Sequence, residues 1–229
     1  MELRAEKLTR NYFRQGNGTN VFTAVQPLDL TLREGELTCI TGRSGSGKST
    51  LLYLLAGLLQ PSGGRVLLGE TDLYALPDAE RARLRNRDLG IVPQGQTALG
   101  ALTVLENVLL PAELYPSVTT NDAEALAQKG RRLLQEVGIG QLESVFPDEL
   151  SGGERRRLGI ARALITEPKM ILADEPTADL DDENTMTVLR MLRELADGGK
   201  SVLLVTHERE AEVYADRIFR MEQGSLLPL

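Results

Sequence analysis

Gly42-Arg43-Ser44-Gly45-Ser46-Gly47-Lys48-Ser49, followed by Thr50, is the stretch that decides how this chain folds. It fits the spacing G-x-x-x-x-G-K-[S/T] of a phosphate-binding loop. It also stands where such a loop must stand, between a short apolar run, Glu36 to Thr41, and a leucine-rich helical stretch, Lys48 to Leu59. Polyphosphate oxygens need many donors at close range. Gly42, Gly45 and Gly47 let the backbone curl and aim its N–H groups inward, and the positive end of the following helix adds to the attraction. Lys48 is placed to reach β- and γ-phosphates, the Ser49 hydroxyl to complete a Mg²⁺ shell, and Thr50 is a spare hydroxyl facing the helix. A glycine-rich turn that merely caps a helix is the bland alternative, and the strand-to-helix context weighs against it. A dinucleotide loop is disfavoured because its third glycine would fall where Thr50 stands.

A loop of this kind needs a carboxylate for Mg²⁺ and a group that orients or deprotonates the attacking water. Met170-Ile171-Leu172-Ala173-Asp174-Glu175-Pro176 supplies both. Asp174 ends the apolar run, where side chains of open α/β sheets face the ligand crevice, and is the candidate Mg²⁺ carboxylate. Glu175 is the candidate general base. Read without the upstream loop, the pair would be two solvated acids in a turn. Met170 to Ala173 and Ser201 to Val205 are β-rich apolar runs, each followed by polar residues and a helix, as in a parallel sheet. Glu183 to Ala196 reads as the crossover helix between them, closed by Gly198 and Gly199. The first hundred residues read mostly as strands and turns, with Val25 to Arg33, Arg65 to Gly69 and Leu89 to Val92 as further strand candidates. From Ala101 to Leu150 the period turns helical, most clearly over Asp122 to Val137, so the middle third interrupts the core.

The chain of 229 residues is long enough to bury a substantial core. Its net charge of -7 argues against a general nucleic-acid binder, and aromatic residues at 4% do not offer stacking platforms. The runs Arg155-Arg156-Arg157 and Arg81, Arg83, Arg85, Arg87 therefore read as solvated or subunit-facing sides of helices. No apolar run approaches the roughly 20 residues that span a bilayer, and Met1 to Arg10 is too polar for a signal peptide, which predicts a cytoplasmic chain. Cys39, the only cysteine, reads as core and fits a reducing compartment.

Leu150-Ser151-Gly152-Gly153-Glu154 offers a hydroxyl, two glycines and a helix start, a second anion cradle weaker than the first because no lysine follows. Together with the phosphate loop it resembles the ABC ATPase family, and the resemblance extends over essentially the whole chain. The resemblance implies that Ser151, Gly152 and Gly153 bind the γ-phosphate of ATP held by the opposite subunit, so that two ATP molecules join a head-to-tail dimer. It implies that Gln94, just after the strand candidate Leu89 to Val92, touches Mg²⁺ and the attacking water. In Ala178-Asp179-Leu180-Asp181 it sends Asp181 across the dimer interface, while Asp179 departs from the small or amide residue usual there and its role stays open. His207, the only histidine, matches the switch histidine that contacts the γ-phosphate. Tyr12 resembles the aromatic that stacks on adenine, with Phe13 and Phe22 as alternatives.

Pattern and resemblance together predict an α/β fold: a P-loop NTPase core with a mainly parallel sheet, an N-terminal antiparallel β subdomain and an inserted α-helical subdomain. Residues 1–94 and 161–229 would form the core with its β subdomain, and 95–160 the helical part carrying the Ser151 motif. One phosphate loop and one such motif make a single module that needs a second copy. No coiled-coil insertion or cysteine cluster is visible, and the hairpin-like end Arg217 to Leu227 leads us to expect no extra regulatory domain. The segments Leu84 to Gln94 and Leu102 to Pro111 look most like the group serving lipoprotein release, macrolide or peptide efflux, and cell division. The expected function is Mg-dependent ATP hydrolysis that drives a separate integral membrane permease, received on the helical third, with the chain peripheral on the inner membrane face. A nucleotide-gated adaptor and a soluble non-transport ATPase are the alternatives.

Overall fold

The computed structural model of the chain describes residues 1–14, 20–95, 98–115 and 122–229. Two sheets organise it. Strands β1 (Leu3–Arg14), β2 (Asn20–Leu32), β4 (Gly63–Leu68) and β5 (Thr71–Asp72) form a four-stranded antiparallel sheet in the order β2-β1-β4-β5. Strands β3 (Leu37–Thr41), β6 (Leu89–Val92), β7 (Met170–Asp174), β8 (Ser201–Thr206), β9 (Arg217–Glu222) and β10 (Ser225–Pro228) form a six-stranded sheet in the order β10-β9-β3-β8-β7-β6. All its pairings are parallel except β9 with β10. The expected α/β architecture with a parallel core and an N-terminal antiparallel sheet is therefore present.

The central strands are buried on both faces, which is why they read as continuous apolar runs. Side chains alternate between two cores. Ile40, Met170, Leu172 and Leu203 face α1 (Lys48–Leu55) and the antiparallel sheet, among Leu3, Leu30, Leu51 and Val66. Cys39, Ile171, Ala173, Val202 and Leu204 face α5 (Gly152–Leu164) and α6 (Asp182–Asp197), among Leu158, Val188 and Leu192. Cys39 has no solvent exposure, and burial pushes its thiol pKa up to about 12, with the charge of Glu212 adding to the shift.

The helical segment is built from α3 (Val104–Leu114), α4 (Ala123–Glu136) and α5. Thr103 and Glu106 close a capping box at the start of α3, and Asp122 caps α4. Asn107, fully buried, fastens the preceding loop by donating to the carbonyls of Leu99, Leu102 and Thr103 and accepting from Leu99 N–H. Residues 116–121, inside the stretch expected to be helical, lie outside the described residues. Helix α5 runs without interruption across position 160, where the sequence placed a domain boundary.

Two elements differ from expectation. Helix α1 ends at Leu55, short of Leu59, where Gly57 turns with φ +67° and the single proton of the Tyr74 hydroxyl is shared between the carbonyls of Leu54 and Leu59, at 2.5 and 2.6 Å. Within the stretch read mostly as strands and turns lies a helix, α2 (Asp78–Asp88). Its arginines are not a solvated face throughout: the Arg81 guanidinium lies 5.4 Å from the Tyr74 ring centre, and Arg85 donates to the Gly57 carbonyl at 3.0 Å.

Candidate nucleotide site

The loop between β3 and α1 is held from two sides. Gly47, at φ +109°, lies so close to β2 that a Cβ there would sit 2.2 Å from the Ala24 carbonyl oxygen. On the other side Gly224, in the β9–β10 turn, donates to the Ser46 carbonyl at 3.0 Å, and its own carbonyl accepts from Gln26 N–H at 2.9 Å. Arg43, Ser44 and Gly45 form the exposed rim, Gly42 and Thr50 are half-buried, and Ser46 is buried with its hydroxyl unpartnered. Lys48 is buried and curls back over the loop, donating to the Gly42 and Arg43 carbonyls at 2.8 and 3.3 Å. The loop thus holds a cation over backbone amides at a helix start, the environment a polyphosphate requires.

Strands β6, β7 and β8 deliver the remaining groups at their C-terminal ends, as in open α/β sheets generally. Asp174 closes β7 with no exposure, and the Ser49 hydroxyl donates to its Oδ1 at 3.0 Å. Burial raises the Asp174 pKa above the usual carboxylate range, against the lowering effect of hydrogen bonds from Ser49 and Tyr53 and of the Lys48 charge. Its Oδ2 is buried and makes no hydrogen bond of ordinary geometry. Glu175 follows with φ +46°, a left-handed conformation that costs a non-glycine residue on the order of 1–3 kcal/mol. Its N–H donates to the Val205 carbonyl at 2.8 Å, which fixes the turn.

The Glu175 carboxylate is the meeting point. Gln94 Nε2 donates to its Oε2 at 3.2 Å, His207 Nδ1 lies 3.2 Å from the same oxygen, and Lys48 Nζ lies 3.5 Å from Oε1. The Glu175 side chain is 12% exposed and the His207 side chain 54%, so the acid is enclosed while the imidazole faces the opening. Lys48, Ser49, Gln94, Asp174, Glu175 and His207, gathered from four separate segments of sequence, form one cluster.

Tyr12 lies on β1 opposite Phe22 of β2, and the Arg10 guanidinium covers its ring at 4.6 Å from the centre. Phe13 is 79% exposed and pairs with Val21. Tyr12 is the half-buried aromatic of the three, on the same hairpin that presses Ala24 against Gly47.

Ser151, Gly152, Gly153 and Asp181 form a second group apart from the first. Ser151 caps α5 in a reciprocal pair with Glu154, whose carboxyl is held below its usual range by the Ser151 N–H and hydroxyl. Asp181 caps α6 by accepting from Asn184 N–H at 2.8 Å, and Asn184 Oδ1 accepts from Arg157 at 2.7 Å. Gly153 packs on Asn184 so tightly that a Cβ would lie 2.4 Å from its Oδ1. Among the described residues no hydrogen bond or ion pair joins this group to the Glu175 cluster.

Some of the local framework carried no sequence signal. The Thr177 hydroxyl, fully buried, bonds the Glu208 carboxylate, and Glu208 N–H donates to the Thr206 hydroxyl at 3.1 Å, tying the segment after Glu175 to the one carrying His207. Arg155, Arg156 and Arg157 are half-buried; the first two donate to the Pro147 and Ala178 carbonyls and Arg157 to the Asn184 side chain on α6, so of the solvated or subunit-facing side expected of them, a fully solvated face is not what the fold builds.

A Mg²⁺ ion fits the donor set. The orphaned Asp174 Oδ2 beside the Ser49 hydroxyl offers a carboxylate and a neutral oxygen, the sparse protein contribution this ion takes when phosphates and water supply the rest. Among the described residues no cluster of three or more His, Cys, Asp or Glu side chains could hold a metal by itself.

A glycine cradle with its lysine, a buried acid at the end of the neighbouring strand and a parallel sheet between helices define a P-loop nucleoside triphosphatase. The chain belongs to the ABC transporter family, whose sequence model matches residues 25–178, and it is an ATP-binding and ATP-hydrolysing member of it. It is 42% identical over 225 residues to the lipoprotein-releasing system ATP-binding protein LolD of Shewanella sp. (strain MR-4), covering 98% of this chain and 94% of that one. It is also 42% identical over 228 residues to the protein of the same name from Xanthomonas campestris pv. campestris (strain 8004), covering 99% and 92%. Among solved structures it resembles the dimeric structure of MJ0796, a bacterial ABC transporter cassette, with a TM-score of 0.89 and 32% identity over 97% of this chain and 95% of that one. A dimeric post-hydrolysis state of the same cassette with ADP and Pi matches at a TM-score of 0.86 and 31% identity, covering 99% and 98%.

Proposed function

We propose that two copies of this chain close head to tail around two ATP molecules with Mg²⁺ and that hydrolysis there drives a separate membrane permease of the lipoprotein-release type. The observation that carries the reading is the convergence of Lys48, Gln94 and His207 on the Glu175 carboxylate, while the tip at Ser151 stands exposed and unconnected to that cluster. In this reading a second chain brings its tip to the phosphates.

In this reading the loop from Gly42 to Ser49 receives the triphosphate and Thr50 lies behind it. Lys48 leaves the Gly42 and Arg43 carbonyls for the β- and γ-phosphates, which also releases its hold on Glu175. Tyr12 stacks on adenine. Ser49 and Asp174 would hold Mg²⁺ with help from Gln94, and the bound ion would supply positive charge against the charge that develops on the phosphates. Gln94 and Glu175 orient a water in line with the γ-phosphorus. Its oxygen bonds to phosphorus as the bond to the ADP oxygen breaks, and its proton passes to the Glu175 carboxylate. His207 donates to a γ-phosphate oxygen. Ser151, Gly152 and Gly153 of the opposite chain cover the same phosphate, and Asp181 crosses the interface.

The relatives named as ATP-binding proteins of a lipoprotein-releasing system support the choice of permease, and with it a location on the inner membrane face. Among the described residues no helix is long and apolar enough to cross a membrane. In the test, Glu175→Gln lowers steady-state ATPase by about 10²–10⁴-fold, the usual weight of a positioned base, while keeping ATP and forming a dimer in Mg-ATP by sedimentation. Turnover like the wild type would remove Glu175 from this role, and a monomer in saturating Mg-ATP would remove the shared site.

A further inference from the structure

Three segments that do different things border one cleft of about 260 Å³: the segment after β6 at Pro93 and Gly95, on either side of Gln94, the loop from Ala178 to Leu180 that leads on to Asp181, and the first turns of α5 behind Ser151. Arg156, on the inner side of α5, spans the gap. One end of its guanidinium donates to the Gly95 carbonyl at 3.5 Å and the other to the Ala178 carbonyl at 3.3 Å. Both bonds are long for charge-assisted ones, so they tighten if the segments draw together. A planar fork with separated donors suits two acceptors on different segments in a way that a single donor does not.

The positions of those acceptors give the contact its meaning. Gly95 directly follows Gln94, which donates to Glu175, and Ala178 lies three residues beyond Glu175, on the way to Asp181. Glu175 is already held in a left-handed backbone conformation, so a small shift of Ala178 is felt at its carboxylate. Arg155, the preceding residue, makes no such link: it donates to the carbonyls of Pro147 and Asp148, just before α5 begins.

We infer that Arg156 is a positioning residue for hydrolysis, one that locks the Gln94 loop and the Ala178–Asp181 loop to the helix that starts at Ser151. The inference rests on the shared-site dimer proposed above. In that dimer the Ser151 tip of a chain serves one ATP while its Gln94 and Glu175 serve the other. Arg156 therefore makes α5 carry both loops along as its tip meets the partner's nucleotide, so that engagement at one site sets the water-orienting groups at the second.

The test compares ATPase kinetics of the full chain as wild type, Arg156→Gln, Arg155→Gln, Gln94→Ala and the double variant Gln94→Ala/Arg156→Gln. Arg156→Gln lowers kcat about tenfold and leaves KM for ATP within about twofold, because the loops are misplaced while the phosphate cradle is intact. Arg155→Gln, with the same charge change on the same helix, leaves kcat within about twofold. The double variant turns over within about twofold of Gln94→Ala alone, since Arg156 acts through a loop already disabled. The inference is overturned if Arg156→Gln keeps wild-type kcat, if Arg155→Gln loses as much, or if the two losses in the double variant multiply. Mg-ATP-dependent dimerisation of Glu175→Gln reads the shared site separately, so failure of the dimer and failure of the Arg156 link give different results.

Discussion

Replacing Gly47 by alanine probes how the phosphate loop is wedged into the fold, and Gly45→Ala supplies its control. Both glycines have positive φ, +109° and +77°. At Gly45 an added Cβ meets nothing within 4 Å, so the cost is backbone strain alone, about 1–2 kcal/mol. At Gly47 the same atom lands 2.2 Å from the Ala24 carbonyl oxygen and 2.9 Å from Met221 Cε. The methionine tip can swing away, but the carbonyl belongs to β2 and can retreat only with its strand. Overpacking of that kind adds about 1–3 kcal/mol, for a total of about 2–5 kcal/mol. At about 2–4 °C per kcal/mol for a chain of this size, Gly47→Ala melts about 10 °C below the wild type and Gly45→Ala about 4 °C below. Thermal denaturation followed by circular dichroism without nucleotide measures both, and titration with ATP shows Gly47→Ala losing affinity as well. A Gly47→Ala chain that melts no lower than Gly45→Ala would refute the wedge between β2 and the β9–β10 turn.

Asp174→Asn tests the buried acid. Burial raises its folded pKa, so the ionised form weighs against the fold at neutral pH, and its stabilising contribution is lost as pH rises through that raised value. Asp174→Asn therefore melts higher than the wild type at pH 7 without nucleotide. The difference shrinks as pH falls through that raised value and the wild-type acid takes up its proton, while Mg-dependent ATPase is lost; an equal or lower melting point at pH 7 contradicts the sign. Gly153→Ala pushes on Asn184 Oδ1 and loosens its bonds to Asp181 and Arg157. Placed in the Glu175→Gln chain it abolishes the ATP-dependent dimer in sedimentation while ATP binding by the monomer stays within about twofold, and a surviving dimer would argue against the Ser151 tip as the partner's phosphate cover. Tyr12→Ala raises KM for ATP about tenfold, from a stacking contribution of about 1–3 kcal/mol, and Tyr12→Phe restores it. If Phe22→Ala carries that loss instead, the adenine platform is Phe22.

The cluster around Glu175 was legible as a candidate site because its members sit at strand ends. Asp174 and His207 each follow an apolar run, and a buried parallel strand announces itself by composition. Helix α2 was illegible for the opposite reason. Its anchors are the stems and guanidinium groups of Arg81 and Arg85, so a segment of charged residues packs without an apolar period. The same property hid Arg156, whose value lies in carbonyls 61 and 22 residues away along the chain. Thr177 and Glu208 pair across 31 residues with no motif to announce them. The Ser151 tip is a different case: within one chain it is a capping box and nothing more, and its meaning comes from the family rather than from its own contacts.

Cys39 lies sealed in the middle of β3, and the chain has no other thiol. Maleimides and similar labels react with thiolates they can reach, and this sulfur is neither reachable nor ionised near neutral pH. The native chain is thus a silent background for chemical labelling. A cysteine introduced at the exposed Ser44 or Asp182 would be the only site to take a fluorophore or a cross-linker, so the approach of two copies could be followed without first stripping the protein of its own cysteine.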